Sequence, residues 1–294
     1  MAEVQEQQPL PQPGTRSKDV PWFSNKVLNL TEQARKLLEE YSGIPPEKVE
    51  AHVLEVRDKA WDIHPYPCIG MFRFLDFNMS SESYYPEILS RLKNGEQLLD
   101  LGCCFGQELR QLIHDGAPPT SLHGTDLRGP FLTLSHTLFL DAHILPPSRL
   151  LAADIFDDGP ASPLAPLAGT LSVIHASSFF HLFGRADQLR AAERCVALLR
   201  PAPGVAVVGR QVGSRVPGER AAGQEGRVAR FMHDVASWAR LWQEVGERTG
   251  TKWEVEGRMG EVGEEVGMEE LRAWAKRGGQ EGLWWLAFVV RRVE

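Results

Sequence analysis

Four cysteines in 294 residues, none in a CxxC pair and none with a histidine at zinc-ligand spacing, indicate neither a disulfide framework nor a bound metal. Lysine and arginine form no run long enough to track a phosphate backbone, and the formal charge is −7, so nucleic acid is not expected as a partner. No apolar run reaches membrane-spanning length, and no membrane span is expected. The opening MAEVQEQQPLPQPG lacks the basic-then-apolar order of a secretory signal and reads, with the residues up to 20, as a loose disordered tail. What remains is a soluble, cytoplasmic protein whose partner is a small organic molecule; a homodimer stays open.

With 43% hydrophobic residues the chain can bury a substantial core. LTEQARKLLEEYSG and PPEKVEAHVLEVRDKAWDI have helical spacing, the first opening on Thr31 and stopping at Gly43, the second with Pro45 and Pro46 at its start. Both precede any strand-like segment, so residues 21 to 95 read as a helical N-terminal cap. HPYPCIGMFRFLDF is too rich in proline and aromatics for a regular element, and SYYPEILSRLKNG is expected to be helical.

From residue 96 to the end the rhythm becomes strand, turn and helix, the pattern of a mostly parallel α/β sheet. Strands are expected at EQLLDL, SLHGTD, RLLAAD, TLSVIHAS, GVAVVGRQ, TKWEVEGRM and GLWWLAFVVRRV, seven in all. Helices are expected near 106–114, 131–142 and 185–199, at ASWARLWQEVGERTG and at EELRAWAKRG. Residues from about 212 to 235 lack periodicity and read as an insertion beside the site.

The first of these strands ends in LLDLGCCFGQEL. Open parallel sheets bind ligands at the carboxyl ends of their strands. Gly102 can take backbone angles closed to other residues, and Gly106 lets the next helix start close to the strand, so the turn is expected to present backbone N–H groups. A dinucleotide fingerprint would need glycine where Cys104 stands, and no GKS or GKT follows for a Walker loop. The remaining common occupant is S-adenosylmethionine, with Asp100 placed for its ammonium or for loop amides, and Cys103 beside it. Asp126 and Leu127 end the second strand, where an acid can take both ribose hydroxyls. Asp154 and Ile155 end the third, where a carboxylate can accept from the adenine amino group beside an apolar wall. Strand-end aspartates also cap helices, but a row of three behind a GxxxG turn favours the adenosyl ligand. Ala176 ends the fourth strand and is small enough to let a ligand approach; His175, Phe179, Phe180 and His181 follow as groups facing the reaction centre.

YPCIGMFRFL, LLDLGCCFGQELRQLIHDGAP, HGTDL, AADIFD, HASSFFHLF and VVGRQVGSRVPGE together resemble the fungal class I S-adenosylmethionine-dependent methyltransferases of secondary-metabolite, meroterpenoid-type clusters. The resemblance runs from about residue 20 to the end. It implies a Rossmann-like seven-stranded sheet with the last strand antiparallel, and cofactor contacts through Gly102, Asp126, Leu127, Asp154, Ile155 and Ala176. It further implies methyl transfer to a carboxyl group of a prenylated aromatic polyketide acid.

A carboxylate acceptor is already ionised at neutral pH and needs no base. A phenol or alcohol would need one, and His181 and His233 are then the candidates. Tyr66, Phe179 and Phe180 could wall an apolar pocket, and Arg73 or Gln211 could hold an acceptor oxygen. A cofactor-binding cyclase, or a non-catalytic protein on the same fold, is the rival from another class.

Overall fold

The computed structural model describes residues 14–28, 30–220, 229–261 and 284–294. The cap begins with α1 (Glu32–Lys36), started by the Thr31 side chain accepting from the Ala34 N–H, and runs on as a π-helical turn over Leu37–Tyr41. Helix α2 (Val49–Ile63) buries Val53, Val56, Ala60 and Trp61. The proline- and aromatic-rich segment is more regular than expected. It folds into α3 (Pro67–Gly70) and a 3₁₀ turn over Arg73–Leu75, with Phe72 between them at a left-handed φ of 56°. Helix α4 (Tyr85–Lys93) leads into the sheet.

The sheet region then runs β1 (Leu98–Leu101), α5 (Gln107–His114), β2 (Leu122–Asp126), α6 (Gly129–Phe139), β3 (Leu150–Ala152), β4 (Val173–His175), α7 (Arg185–Leu198) and β5 (Ala206–Gly213). A small hairpin follows, β6 (Gly218–Arg220) with β7 (Arg230–Met232), then α8 (Val235–Thr249), β8 (Trp253–Glu261) and β9 (Trp284–Arg292). Asp234 and Ser237 close a reciprocal capping box at the start of α8. The seven-stranded sheet has the order β3-β2-β1-β4-β5-β9-β8, its first five strands parallel and the last, β9, antiparallel to both neighbours. The insertion expected at about 212–235 is partly ordered as the hairpin, and the helix expected at EELRAWAKRG lies outside the described residues.

A loose tail reaching residue 20 does not hold at its end. Arg16 donates to the Asp62 carbonyl, Trp61 Nε1 donates to the Arg16 carbonyl, and Val20 is buried. The cap's apolar cluster takes in Trp22, Trp61 and Phe72 together with Phe105, Phe131, Leu138 and Phe139 of the sheet region. The cap is therefore built onto the β1–α5 turn and α6. No helix among the described residues is long and apolar enough to cross a membrane.

Candidate active site

Three of the five residues in the turn after β1, Gly102, Cys104 and Gly106, have left-handed φ angles of 72°, 52° and 61°. Glycine tolerates this; Cys104 does so at a cost of about 1–3 kcal/mol, which the surroundings must enforce. The enforcement is visible. The N–H groups of Gly102 and Cys103 both donate to the Thr125 carbonyl at 2.8 and 2.9 Å, the Cys104 N–H donates to Asp126 Oδ2 at 3.0 Å, and the Gly106 N–H donates to the Cys103 carbonyl at 2.7 Å. The expectation that these N–H groups face a ligand is thus corrected: three are taken up by the end of β2 and one by the turn's own carbonyl. A phosphate would find few donors here, whereas a ligand bearing an ammonium group needs acceptors.

Beneath the turn lies a buried ion pair. Arg110 Nε and Asp141 Oδ2 are 2.7 Å apart with both side chains fully buried, and Arg110 Nη1 donates to the Phe105 carbonyl at 3.0 Å. Tyr41 and His136 complete the shell around Asp141. Burial works to raise the Asp141 pKa, but hydrogen bonds from His136 and Arg110 outweigh it and bring it down to about 2.

The acids expected to hold a cofactor have different fates. Asp126 stays at the rim, its two oxygens accepting from the Cys104 and Arg128 N–H groups, and burial raises its pKa against those bonds. Leu127, next to it, is 66% exposed, an apolar side chain standing in the open beside a polar rim. Asp154 is exposed with Oδ1 accepting from the Phe156 N–H, and the Ala153 N–H donates to the Asp126 carbonyl, so the two strand-end acids are neighbours. Ile155 is buried. Asp100 is a correction: it is buried under the turn and pairs with His175, Oδ1 to Nδ1 at 2.8 Å. Burial opposes a charge on His175, but the Asp100 carboxylate and its hydrogen bond prevail and raise its pKa. Cys103 is a second correction, for its side chain sits in the core against Gly124. Ala176 is fully buried, pressed so closely by β5 that a Cβ on Gly209 would lie 2.3 Å from its carbonyl oxygen.

At the acceptor end, Phe179 lies against Gly102, where an added Cβ would meet its ring at 2.8 Å. Phe180 is corrected from pocket wall to core, packed between Trp238 and Phe288. His181 Nδ1 accepts from the Val212 N–H at 3.4 Å, and burial pushes its pKa down to about 3. His233 is buried with Nδ1 2.9 Å from Ser237 Oγ, and burial pushes its pKa down to about 4. Gln211 is buried, and neither polar atom of its amide has a hydrogen-bond partner among the described residues. Tyr66 reaches over from the cap, its hydroxyl accepting from Arg128 Nε at 3.1 Å. Arg73 lies 2.6 Å from Asp76 Oδ2, with Arg210 3.9 Å from the same oxygen and both guanidinium groups over the Trp285 ring.

Residues 22–75 match the family model of the meroterpenoid methyltransferase N-terminal domain. Methyltransferase adrK of Penicillium roqueforti is 42% identical over 272 residues, covering 92% of each chain. O-methyltransferase phiE of a Fungal sp. is 45% identical over 244 residues, 82% of this chain and 80% of that one. The chain belongs to this family of fungal methyltransferases. Among solved structures, a candidate sarcosine dimethylglycine methyltransferase from Galdieria sulphuraria aligns with a TM-score of 0.52 at 11% identity, covering 78% of this chain and 88% of that one, a likeness of fold. In this methyltransferase Gly102, Asp126 and Asp154 stand at neighbouring strand ends, with Leu127 exposed beside Asp126. Arg210, Glu108 and the Asp100–His175 pairing were missed. They sit on different elements far apart in the chain, and no local spacing announces them.

Proposed function

We propose that this methyltransferase takes its methyl group from S-adenosylmethionine and delivers it to a carboxylate oxygen of a small hydrophobic acid of fungal secondary metabolism. The donor reading is supported by the turn, whose N–H groups are used internally while Asp126 and Asp154 offer acceptors beside the exposed Leu127. Those residues fit an adenosyl group. Asp126 would accept from the ribose hydroxyls, Asp154 from the adenine amino group, and Leu127 and Ile155 would cover the base. When bound, the cofactor supplies an electrophilic methyl on a sulfonium sulfur.

One observation carries the acceptor reading. Both histidines at the acceptor end are held neutral, with pKa values pushed to about 3 and about 4, too low for an effective general base at neutral pH. A carboxylate arrives already ionised, and the protein then has only to align it and exclude water. Arg73 and Gln211 would hold its oxygens, with Tyr66 and Phe179 as apolar wall. In the cytoplasm, the compartment proposed for it, the four thiols stay reduced.

Calorimetric titration with S-adenosylmethionine and with NADH tests the donor. Binding of the sulfonium alone is expected, weakened about 100-fold or more in Asp126→Ala through loss of charge-assisted hydrogen bonds. Methyl ester formation on aromatic carboxylic acids then tests the acceptor. No donor binding by folded wild-type protein would overturn the reading.

A further inference from the structure

Glu108 stands in the first turn of α5, two residues past Gly106, where an acid ordinarily faces water beside the helix N-terminus. Here it is 2% exposed. Its Oε1 accepts from the N–H groups of Asn78 at 2.7 Å and Met79 at 3.2 Å, at the start of a 3₁₀ turn over Met79–Ser81. Its Oε2 is buried with no hydrogen-bond partner among the described residues. One side chain on the helix that leaves the cofactor turn thus grips the cap by its backbone. Two residues before Asn78 is Asp76, which meets Arg73 and Arg210 at the acceptor end.

We infer that Glu108 is a positioning residue for methyl transfer: its carboxylate fixes cap residues 76–79 onto α5 and so sets where the cap stands relative to the bound donor. This rests on the donor reading above. An ionised carboxylate holds two N–H donors roughly twice as strongly as a neutral acid does. Burial pushes the Glu108 pKa up to about 7, so the grip changes across the neutral range. The groups facing it are Asp100 of β1, His175 of β4, and Tyr84 and Tyr85 at the start of α4. Asp115 at the end of α5, bonded to Tyr85, Glu82 beside Tyr84, and Arg210 of β5 beyond His175 complete the surroundings. Among them, His175 favours the ionised form of Glu108 and Asp100 opposes it.

The test is amide hydrogen exchange over residues 76–81 in wild type and Glu108→Gln at about pH 6 and about pH 8, with S-adenosylhomocysteine affinity measured in parallel. At about pH 8 the variant's segment should exchange about tenfold faster than wild type, and at about pH 6 the two should agree within about twofold. Wild-type affinity for S-adenosylhomocysteine should weaken about threefold as pH falls through about 7, while the variant stays at the low-pH value. Because burial raises this pKa, the folded state binds the proton more tightly than the unfolded one, and stability falls as pH rises through the window. The variant should therefore melt above wild type at about pH 8 but not at about pH 5. Equal exchange at the higher pH, or a pH step retained in Glu108→Gln, would overturn the proposal. Should the variant not fold, a flat wild-type affinity across the range would overturn it equally. If wild type binds no S-adenosylhomocysteine at any pH, the donor reading fails, and the exchange comparison still decides the role of Glu108.

Discussion

The carboxyl ends of β1, β2 and β3 and those of β4 and β5 belong to one sheet, yet they are built from opposite materials. The first set carries carboxylates at an open rim, Asp126 and Asp154, each braced by backbone N–H groups. The second carries His181, the buried Gln211 and the buried His233, the last against Trp238, with burial pushing the pKa of both of these histidines down. The proposed donor side thus offers carboxylates braced by backbone N–H groups, whereas on the proposed acceptor side charge is paired, His175 with Asp100 and Arg73 and Arg210 with Asp76. Carboxylate methylation suits that division, since its nucleophile brings its own charge and asks only for alignment.

The contrast can be broken hardest from below the turn. Asp141→Asn leaves Arg110 buried beside a neutral amide, at a cost of about 3–5 kcal/mol. Because Arg110 also holds the Phe105 carbonyl, donor affinity should fall with the melting temperature. The Asp141 pKa is depressed, so wild type owns this stabilisation above the ordinary aspartate range and loses it as pH falls toward about 2. The melting-temperature gap between wild type and variant should close along that limb.

A narrower break is Gly102→Ala. The left-handed φ and the Phe179 ring 2.8 Å from the new Cβ together cost about 1–3 kcal/mol, read by denaturant unfolding. Donor binding should weaken as Phe179 shifts. The smallest expected effect sharpens the contrast instead. His233→Asn should lower kcat by less than about tenfold, whereas loss of a general base would cost about 10²–10⁴-fold.

Much of this organisation was legible in the chain. The alternation from residue 96 yielded the seven strands of the main sheet: β1 to β5 because a parallel sheet covered on both faces leaves short apolar runs punctuated by turns, β8 and β9 because they are rich in tryptophan, valine and phenylalanine. The places of Asp126, which ends β2, and Asp154, two residues past β3, were legible because an acid follows a strand-like run in each. Asp100 follows one too, but its role is set by His175, 75 positions away on the neighbouring strand. Cys103 was misread because a glycine-turn pattern does not reveal that Thr125 already accepts the turn's N–H groups. Glu108 looks like any solvated first-turn acid until the cap is folded over it.

The shared core of cap and sheet has a kinetic consequence. Phe105, Phe131, Leu138 and Phe139 are packed among the cap's own residues, and lifting the cap would return each to water at about 1.5–3 kcal/mol per side chain. Together they come to roughly 6–12 kcal/mol, enough to keep the cap closed in nearly every molecule at any instant. The cap is a roof that stands shut at rest, and amides beneath it should exchange slowly with or without ligand.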